Sequence, residues 1–168
     1  MKAKLIVDGK EFPIEIQDPE LQKLLTPQKK TGYERVGAGQ KYWVQNIRGD
    51  VCWGTESICF TGNNEFYDSA NYYSDETIAK NNARADKLMR QLRRFAVEHR
   101  KKDIDWSDES QGKYYIYNVV NTKNLAVDCR ITKFFNSIYF DSEETAQLAI
   151  ETFHDELVWY FTEYKDSL

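Results

Sequence analysis

The sequence predicts an α+β protein in which antiparallel sheets pair with two long amphipathic helices. Short runs of apolar and aromatic residues, broken by Gly- and Asn-containing turns, read as strands. Two later stretches carry apolar residues at helical spacing for about five turns each. Two parts of the chain also resemble one another at an interval of about 70 residues, which fits duplication of one supersecondary unit.

Residues 1–30 read as a hairpin followed by a short helix. Apolar residues alternate at Leu5 and Val7, then at Phe12, Ile14 and Ile16, and Asp8-Gly9 supplies the positive φ angles of a tight hairpin turn. Pro13 has no N–H to give a ladder, so its strand belongs at an edge. Asp18 is placed to cap the helix, with Pro19 at the first helical position. Leu21, Leu24 and Leu25 form the expected buried face, and Pro27 ends the helix.

The internal match divides the rest of the chain into two units, 31–104 and 105–168, which could share one globular domain. Lys41-Tyr42-Trp43-Val44-Gln45-Asn46-Ile47 resembles Lys113-Tyr114-Tyr115-Ile116-Tyr117-Asn118-Val119. Asn71-Tyr72-Tyr73-Ser74-Asp75-Glu76-Thr77-Ile78-Ala79 lies without gaps over Ile138-Tyr139-Phe140-Asp141-Ser142-Glu143-Glu144-Thr145-Ala146. Each unit reads strand, turn, strand, a short optional third strand, then helix. The first turn is Gly49-Asp50 and the second Asn121–Asn124. Thr61-Gly62-Asn63-Asn64 reads as a loop leading to a third strand at Asn71–Tyr73, whose counterpart is Ser137–Phe140. Large apolar groups on both strand faces imply that helices cover one side and something else partly covers the other.

The first long helix is expected to start at Ser74 as N-cap, with Asp75 and Glu76 in its first turn. Ile78, Ala85, Leu88, Met89, Leu92, Phe95 and Ala96 fall within an arc of roughly 120°. The second is expected to start at Asp141, with Glu144 completing a capping box. Its core face reads Ala146, Ala149, Ile150, Phe153, Leu157, Tyr160, Phe161 and Tyr164.

Composition narrows the class. With 168 residues the chain suits one domain or two small ones sharing a core, and an aromatic fraction of 14% supplies large buried rings. The net charge of −4 argues against wholesale wrapping by nucleic acid, although a local basic patch could still bind it. No apolar run reaches signal-peptide or membrane-span length, and three unpaired-looking cysteines, Cys52, Cys59 and Cys129, fit a reducing, cytoplasmic setting.

Candidate contact residues come from charge asymmetry. Between Ile78 and Lys102 there are nine Lys or Arg against two acids, and Lys80, Arg84, Lys87, Arg90, Arg94 and Lys101 project away from the core arc. Such a stripe can track phosphates or dock on an acidic protein, or it can be an ordinary solvated face. The second helix has the opposite sign, with Glu144, Glu151, Asp155, Glu156 and Glu163 outward. Leu148 and Trp159 share that side. Trp159 is then a potential interface anchor; the alternative is that both pack under the hairpin or the other unit.

Catalytic and metal signals are weak. Asp103–Glu109 starts like a calcium loop but has Asp108 where Gly is needed and Tyr114 where a bidentate Glu belongs, so it reads as an acidic linker. Lys113–Tyr117 alternates aromatics without the glycines of an RNA-recognition strand, and core or cross-strand packing is the better reading. His99 and His154 form no metal spacing, and Gly37-Ala38-Gly39 is no nucleotide loop. Cys52 and Cys59 read as small apolar side chains. Neither cofactor nor metal nor catalytic residue is expected.

Three elements together carry a resemblance: Thr31-Gly32-Tyr33-Glu34-Arg35-Val36 before Lys41–Val44, Asp105-Trp106 before Lys113–Tyr117, and Ile138–Ala146 before a helix ending in an aromatic pair. They resemble small accessory proteins of bacteriophages and mobile elements of Gram-positive bacteria. The resemblance implies a non-enzymatic, cytoplasmic binding protein that antagonises a host defence complex, concretely an anti-CRISPR inhibitor of a Cas nuclease. The contact residues would be Arg84, Lys87, Arg90, Arg94, Lys101, Leu148, Glu151, Asp155 and Trp159. The alternative function is nucleic-acid binding through the basic helix.

Overall fold

The computed structural model describes residues 2–7, 10–25, 30–57, 59, 61–119 and 124–164. The chain divides into two compact units, Met1–Thr31 and Gly32–Leu168.

In the first unit β1 (Lys2–Val7) pairs antiparallel with β2 (Lys10–Glu15), placing Pro13 opposite Lys4, and α1 spans Pro19–Leu25. Asp18 caps α1 as expected: its Oδ1 accepts from the Glu20 and Leu21 amides at 2.8 and 3.2 Å. The expected buried face is not formed at Leu21, which is 50% exposed, nor at Phe12 and Ile14, which are also exposed. A lone hairpin and a seven-residue helix cannot between them cover an apolar face. The Asp8-Gly9 turn, Pro27 and the side chains of Leu5, Val7, Leu24 and Leu25 lie outside the described residues.

The second unit is α+β, with two further antiparallel hairpins. In one, β3 (Lys41–Gln45) pairs with β4 (Val51–Thr55), with Trp43 opposite Trp53. In the other, β5 (Lys113–Asn118) pairs with β6 (Leu125–Arg130), with Ile116 opposite Val127. Gly49 turns the first hairpin at φ +89°, and the Asn46 amide donates to Asp50 across the turn at 2.9 Å. Of the second turn, residues 120–123 lie outside the described ones. The expected third strands reduce to single bridges, Trp43–Tyr73 and Tyr114–Phe140. The sequence match sets Trp43 over Tyr115, whereas the bridges set it over Tyr114. That offset of one residue exchanges strand faces.

Three helices complete the unit. The stretch expected to be a loop at Thr61–Asn64 is the start of α2 (Gly62–Asp68). Helix α3 runs over Glu76–His99 and α4 over Glu143–Thr162. Both N-caps sit one residue later than expected. Asp75, not Ser74, accepts from the Ile78 amide at 3.0 Å, and Ser142, not Asp141, accepts from the Thr145 amide at 3.2 Å. In each case two capping-type residues are adjacent, and the first is used elsewhere. Ser74 donates to Glu34 and takes its amide to the Gly32 carbonyl; the Asp141 carboxylate accepts from the Lys101 and Lys102 amides.

The main core joins α3 and α4 to the inner face of β5–β6. Leu88, Leu92 and Phe95 meet Ala146, Ala149, Ile150 and Leu157, and Tyr114, Ile116, Leu125 and Val127 pack against them. Alanines at positions 146 and 149 are fully buried, which permits close approach of the helices. A smaller core holds Tyr42, Val44 and Tyr72 with Val36 and Phe66, so α2 covers the inner face of β3–β4. Gly54 lies opposite Tyr42, and a Cβ there would come within 2.6 Å of the Tyr42 ring.

No helix among the described residues is long and apolar enough to cross a membrane.

Candidate functional site

The two charged faces expected to stand apart are turned toward each other. Arg84 and Lys87 of α3 and Glu151, Asp155 and Glu156 of α4 line one cleft of about 360 Å³. Arg84 holds Glu156 through two hydrogen bonds of 2.8 and 3.1 Å, a fork geometry suited to a carboxylate. Its guanidinium also lies 3.9 Å from the centre of the Trp159 ring. Arg84 is therefore engaged within the fold, and the outward basic stripe is interrupted there.

Trp159 is not an exposed anchor. It is 8% exposed, between Arg84 and Tyr164. The reason lies at Phe153, where φ −116° and ψ 22° break the helical path of α4. Just before it, the Thr152 hydroxyl donates back to the Leu148 carbonyl, a bond that bends helices. After the break Trp159 is buried and Phe161, expected in the core, is 39% exposed, while Leu157 and Tyr160 keep their expected places in the core. Leu148 stays exposed, as do Glu151 and Asp155.

The remaining basic candidates are dispersed. Lys80 and Arg94 make i,i+4 pairs with Glu76 and Glu98, worth a few tenths of a kcal/mol each. Arg90 reaches toward Gly49 at the β3–β4 turn. Lys101 lies beyond the end of α3, beside Asp141, and both line a cleft at the start of α4. Asp141 is buried, and burial pushes its carboxyl up, but the Lys101 and Lys102 amides hold it below the usual carboxylate range.

In the Asp103–Glu109 loop Asp103 pairs with Arg100 at 3.1 Å, and two other carboxylates cap the chain just after them. Asp105 accepts from the Ser107 amide and hydroxyl, Asp108 from those of Ser110. Lys113 is fully buried beneath this loop, donating to the Asp108 carbonyl and facing the Trp106 ring. Among the described residues no group of three His, Cys, Asp or Glu is arranged to hold a metal ion. The three cysteines form no disulfide and are exposed. His99 stacks on Phe95 at 3.8 Å, and His154 is exposed beside Asp155.

Two sites are absent from the sequence reading. The first is a buried polar centre under β3–β4. Glu56, 7% exposed, accepts from Tyr72 at 2.7 Å and from Arg35 at 2.9 and 3.3 Å. Tyr42 stacks on Tyr72 at 4.4 Å and donates to Asn63 at 2.7 Å. Burial pushes the Glu56 carboxyl up, but the bonds from Tyr72 and Arg35 outweigh it and hold it below the usual carboxylate range. Burial, joined by the bond to Glu56, pushes Tyr72 up to about 12. Every one of these groups is satisfied within the chain, so the centre reads as a structural clamp between the 32–40 segment, β4 and α2.

The second is an apolar groove of about 250 Å³, walled by Met89 and Leu92 of α3, Ile116 of β5, Ile138 of the following loop, and Phe161 of α4. Phe135 stands at its mouth, 101% exposed, with Phe134 and Ile131 exposed nearby in the chain. The 131–137 loop is pinned from behind. The buried Tyr139 hydroxyl accepts from the Phe134 amide at 2.7 Å and donates to the Thr132 carbonyl at 3.3 Å. Asn136 sits at φ +60°, a conformation Asn tolerates better than most residues, and Phe134 rests edge-on against Tyr115. An apolar ring held out by a fixed backbone is preorganised for contact. In the sequence Phe134-Phe135 belongs to no periodic pattern; a doubled aromatic beside Asn is the only signal that could mark it.

The fold and this groove define a small α+β protein with a preformed apolar surface. No known protein family, characterised protein or solved structure matches the chain.

Proposed function

We propose that this chain works by binding another protein, and that it inhibits a host defence complex such as a CRISPR nuclease, the role implied by its resemblance to phage and mobile-element accessory proteins. The observation that carries the binding part is Phe135, fully exposed at the mouth of an apolar groove by a loop whose backbone is tied to Tyr139. Exposed large apolar groups in a contiguous, ordered patch mark recognition surfaces. Contact residues on this reading are Phe135, Phe161 and Met89, ahead of the α4 face, where Leu148, Glu151 and Asp155 are secondary.

The architecture behind the surface we infer to be a duplicated hairpin–helix unit with two long amphipathic helices. Matching bridges to Tyr73 and Phe140, matching caps at Asp75 and Ser142, and a preceding residue that ties down the chain before each hairpin all support it.

Adding the purified protein to Cas nuclease cleavage reactions tests the inhibitory role, together with phage survival in hosts carrying the matching system. Loss of cleavage at near-stoichiometric protein, relieved by Phe135→Ala, is expected. Unchanged cleavage with every nuclease and no protection of phage would remove it.

The second reading, nucleic-acid binding, is favoured by the exposed Lys87, Arg90 and Arg93 on α3. It predicts duplex or single-strand affinity that falls steeply with salt.

A further inference from the structure

We infer that the 103–112 loop sets the position of the Phe135 loop, with Trp106 as the positioning residue; this rests on the binding role proposed for Phe135. The two loops meet at the Trp106 indole. Tyr139 stands edge-on to it with ring centres 4.8 Å apart, and the hydroxyl of that same Tyr139 ties both the Phe134 amide and the Thr132 carbonyl. Lys133, between those two tied residues, brings its ammonium to 5.3 Å from the indole ring centre. Residues 132, 133 and 134 are thus all anchored on one indole, directly or through Tyr139, and Phe135 is the next residue in the chain. Trp106 is a firm anchor because its own loop is closed. The Gln111 side chain accepts from the Asp105 amide at 2.7 Å and donates to the Asp103 carbonyl at 2.9 Å. Lys113, fully buried, donates to the Asp108 carbonyl and lies 5.8 Å from the indole centre. A buried ammonium has given up its hydration, so displacing the loop would strip it of the partners that replace water, and the loop resists displacement. Trp106 itself is 36% exposed and stands outside the main core of Leu88, Leu92, Phe95 and Leu157, so its effect is local. A contact ring binds with less loss of freedom when its backbone is already fixed. Trp106 therefore serves recognition through Phe135 without touching the partner.

Amide hydrogen exchange of the full chain, read residue by residue by NMR, tests the link. Trp106→Ala should speed exchange of the Phe134 amide about tenfold, and so should Tyr139→Phe, which removes the accepting hydroxyl and keeps the ring. The Leu92 and Leu157 amides should keep their protection. Trp106→Phe, which retains an aromatic edge and face at the same place, should restore most of the protection at Phe134. Unchanged exchange at Phe134 in Trp106→Ala would overturn the inference. So would a rise shared equally by Leu92 and Leu157, since Trp106 would then support the whole fold and not one loop. In nuclease cleavage reactions Trp106→Ala should relieve inhibition about as far as Phe135→Ala, with the double variant no worse than either. Relief by Phe135→Ala and none by Trp106→Ala would also overturn it, because recognition would then make no use of the fixed loop. If no nuclease is inhibited while Phe134 exchange still responds to Trp106→Ala, the positioning stands and only the binding role falls.

Discussion

The two hairpins of the Gly32–Leu168 unit are alike in length and pairing, yet they are held by different physics. The inner face of β5–β6 rests on apolar side chains of α3 and α4, aliphatic and aromatic, an area-driven contact that is indifferent to pH. The inner face of β3–β4 rests on stacked tyrosines around one ionised carboxylate, Glu56, with the short α2 as cover. A hairpin thus needs only a covered inner face. Whether apolar area or a satisfied polar network supplies the cover decides how the region responds to truncation and to acid.

The largest expected effect is in the apolar core. Leu157→Ala should cost about 2–5 kcal/mol, read by denaturant unfolding, because Leu157 is buried at the junction of α4 with α3 and the sheet. The loss should be the same at neutral and mildly acid pH; a strongly pH-dependent loss would erase the contrast between the hairpins.

Next comes the polar centre. Glu56→Gln should cost about 1–3 kcal/mol at neutral pH, because the amide keeps an acceptor but loses the charge that Arg35 and Tyr72 address. The folded Glu56 pKa lies below its unfolded value. Its contribution is therefore present above about pH 4.3 and lost as pH falls through the folded pKa. Tyr72 has the opposite sign. Its folded pKa is raised to about 12, so its contribution is complete below about pH 10 and is lost between there and about 12. Wild type should show both slopes in pH-dependent unfolding. Glu56→Gln should flatten the acid one, and an unchanged acid slope would place the titrating group elsewhere.

Smaller again is Gly54→Ala. The added Cβ meets the Tyr42 ring, which cannot swing away while it stacks on Tyr72 and bonds Asn63, so a loss of about 1–3 kcal/mol is expected in thermal melts. A neutral result would show that the ring is free to move.

The hairpins and both long helices are legible in the sequence because their signals are local: alternation, turn residues and helical spacing between Ile78 and Phe95. The misses are equally physical. Helix α2 offers only Phe66 and Tyr67 as apolar residues, too few to show a period. Glu56, Asn63 and Tyr72 meet only through tertiary contact, so nothing near any one of them in the chain announces the others. Trp159 escapes a helical wheel because the wheel assumes unbroken phase, and Phe153 breaks it. Both N-caps slip by one residue, since Ser74-Asp75 and Asp141-Ser142 each offer two cap formers and only the fold chooses between them.

The most direct measurement is mapping of the methyl and amide signals of the folded protein on titration with a Cas nuclease whose cleavage it blocks. Shifts concentrated at Met89, Ile116, Phe135 and Ile138, with Leu148 and Lys87 unmoved, are predicted. Shifts centred on Leu148, Glu151 and Asp155, or none at all, would contradict the assignment of recognition to the groove at Phe135.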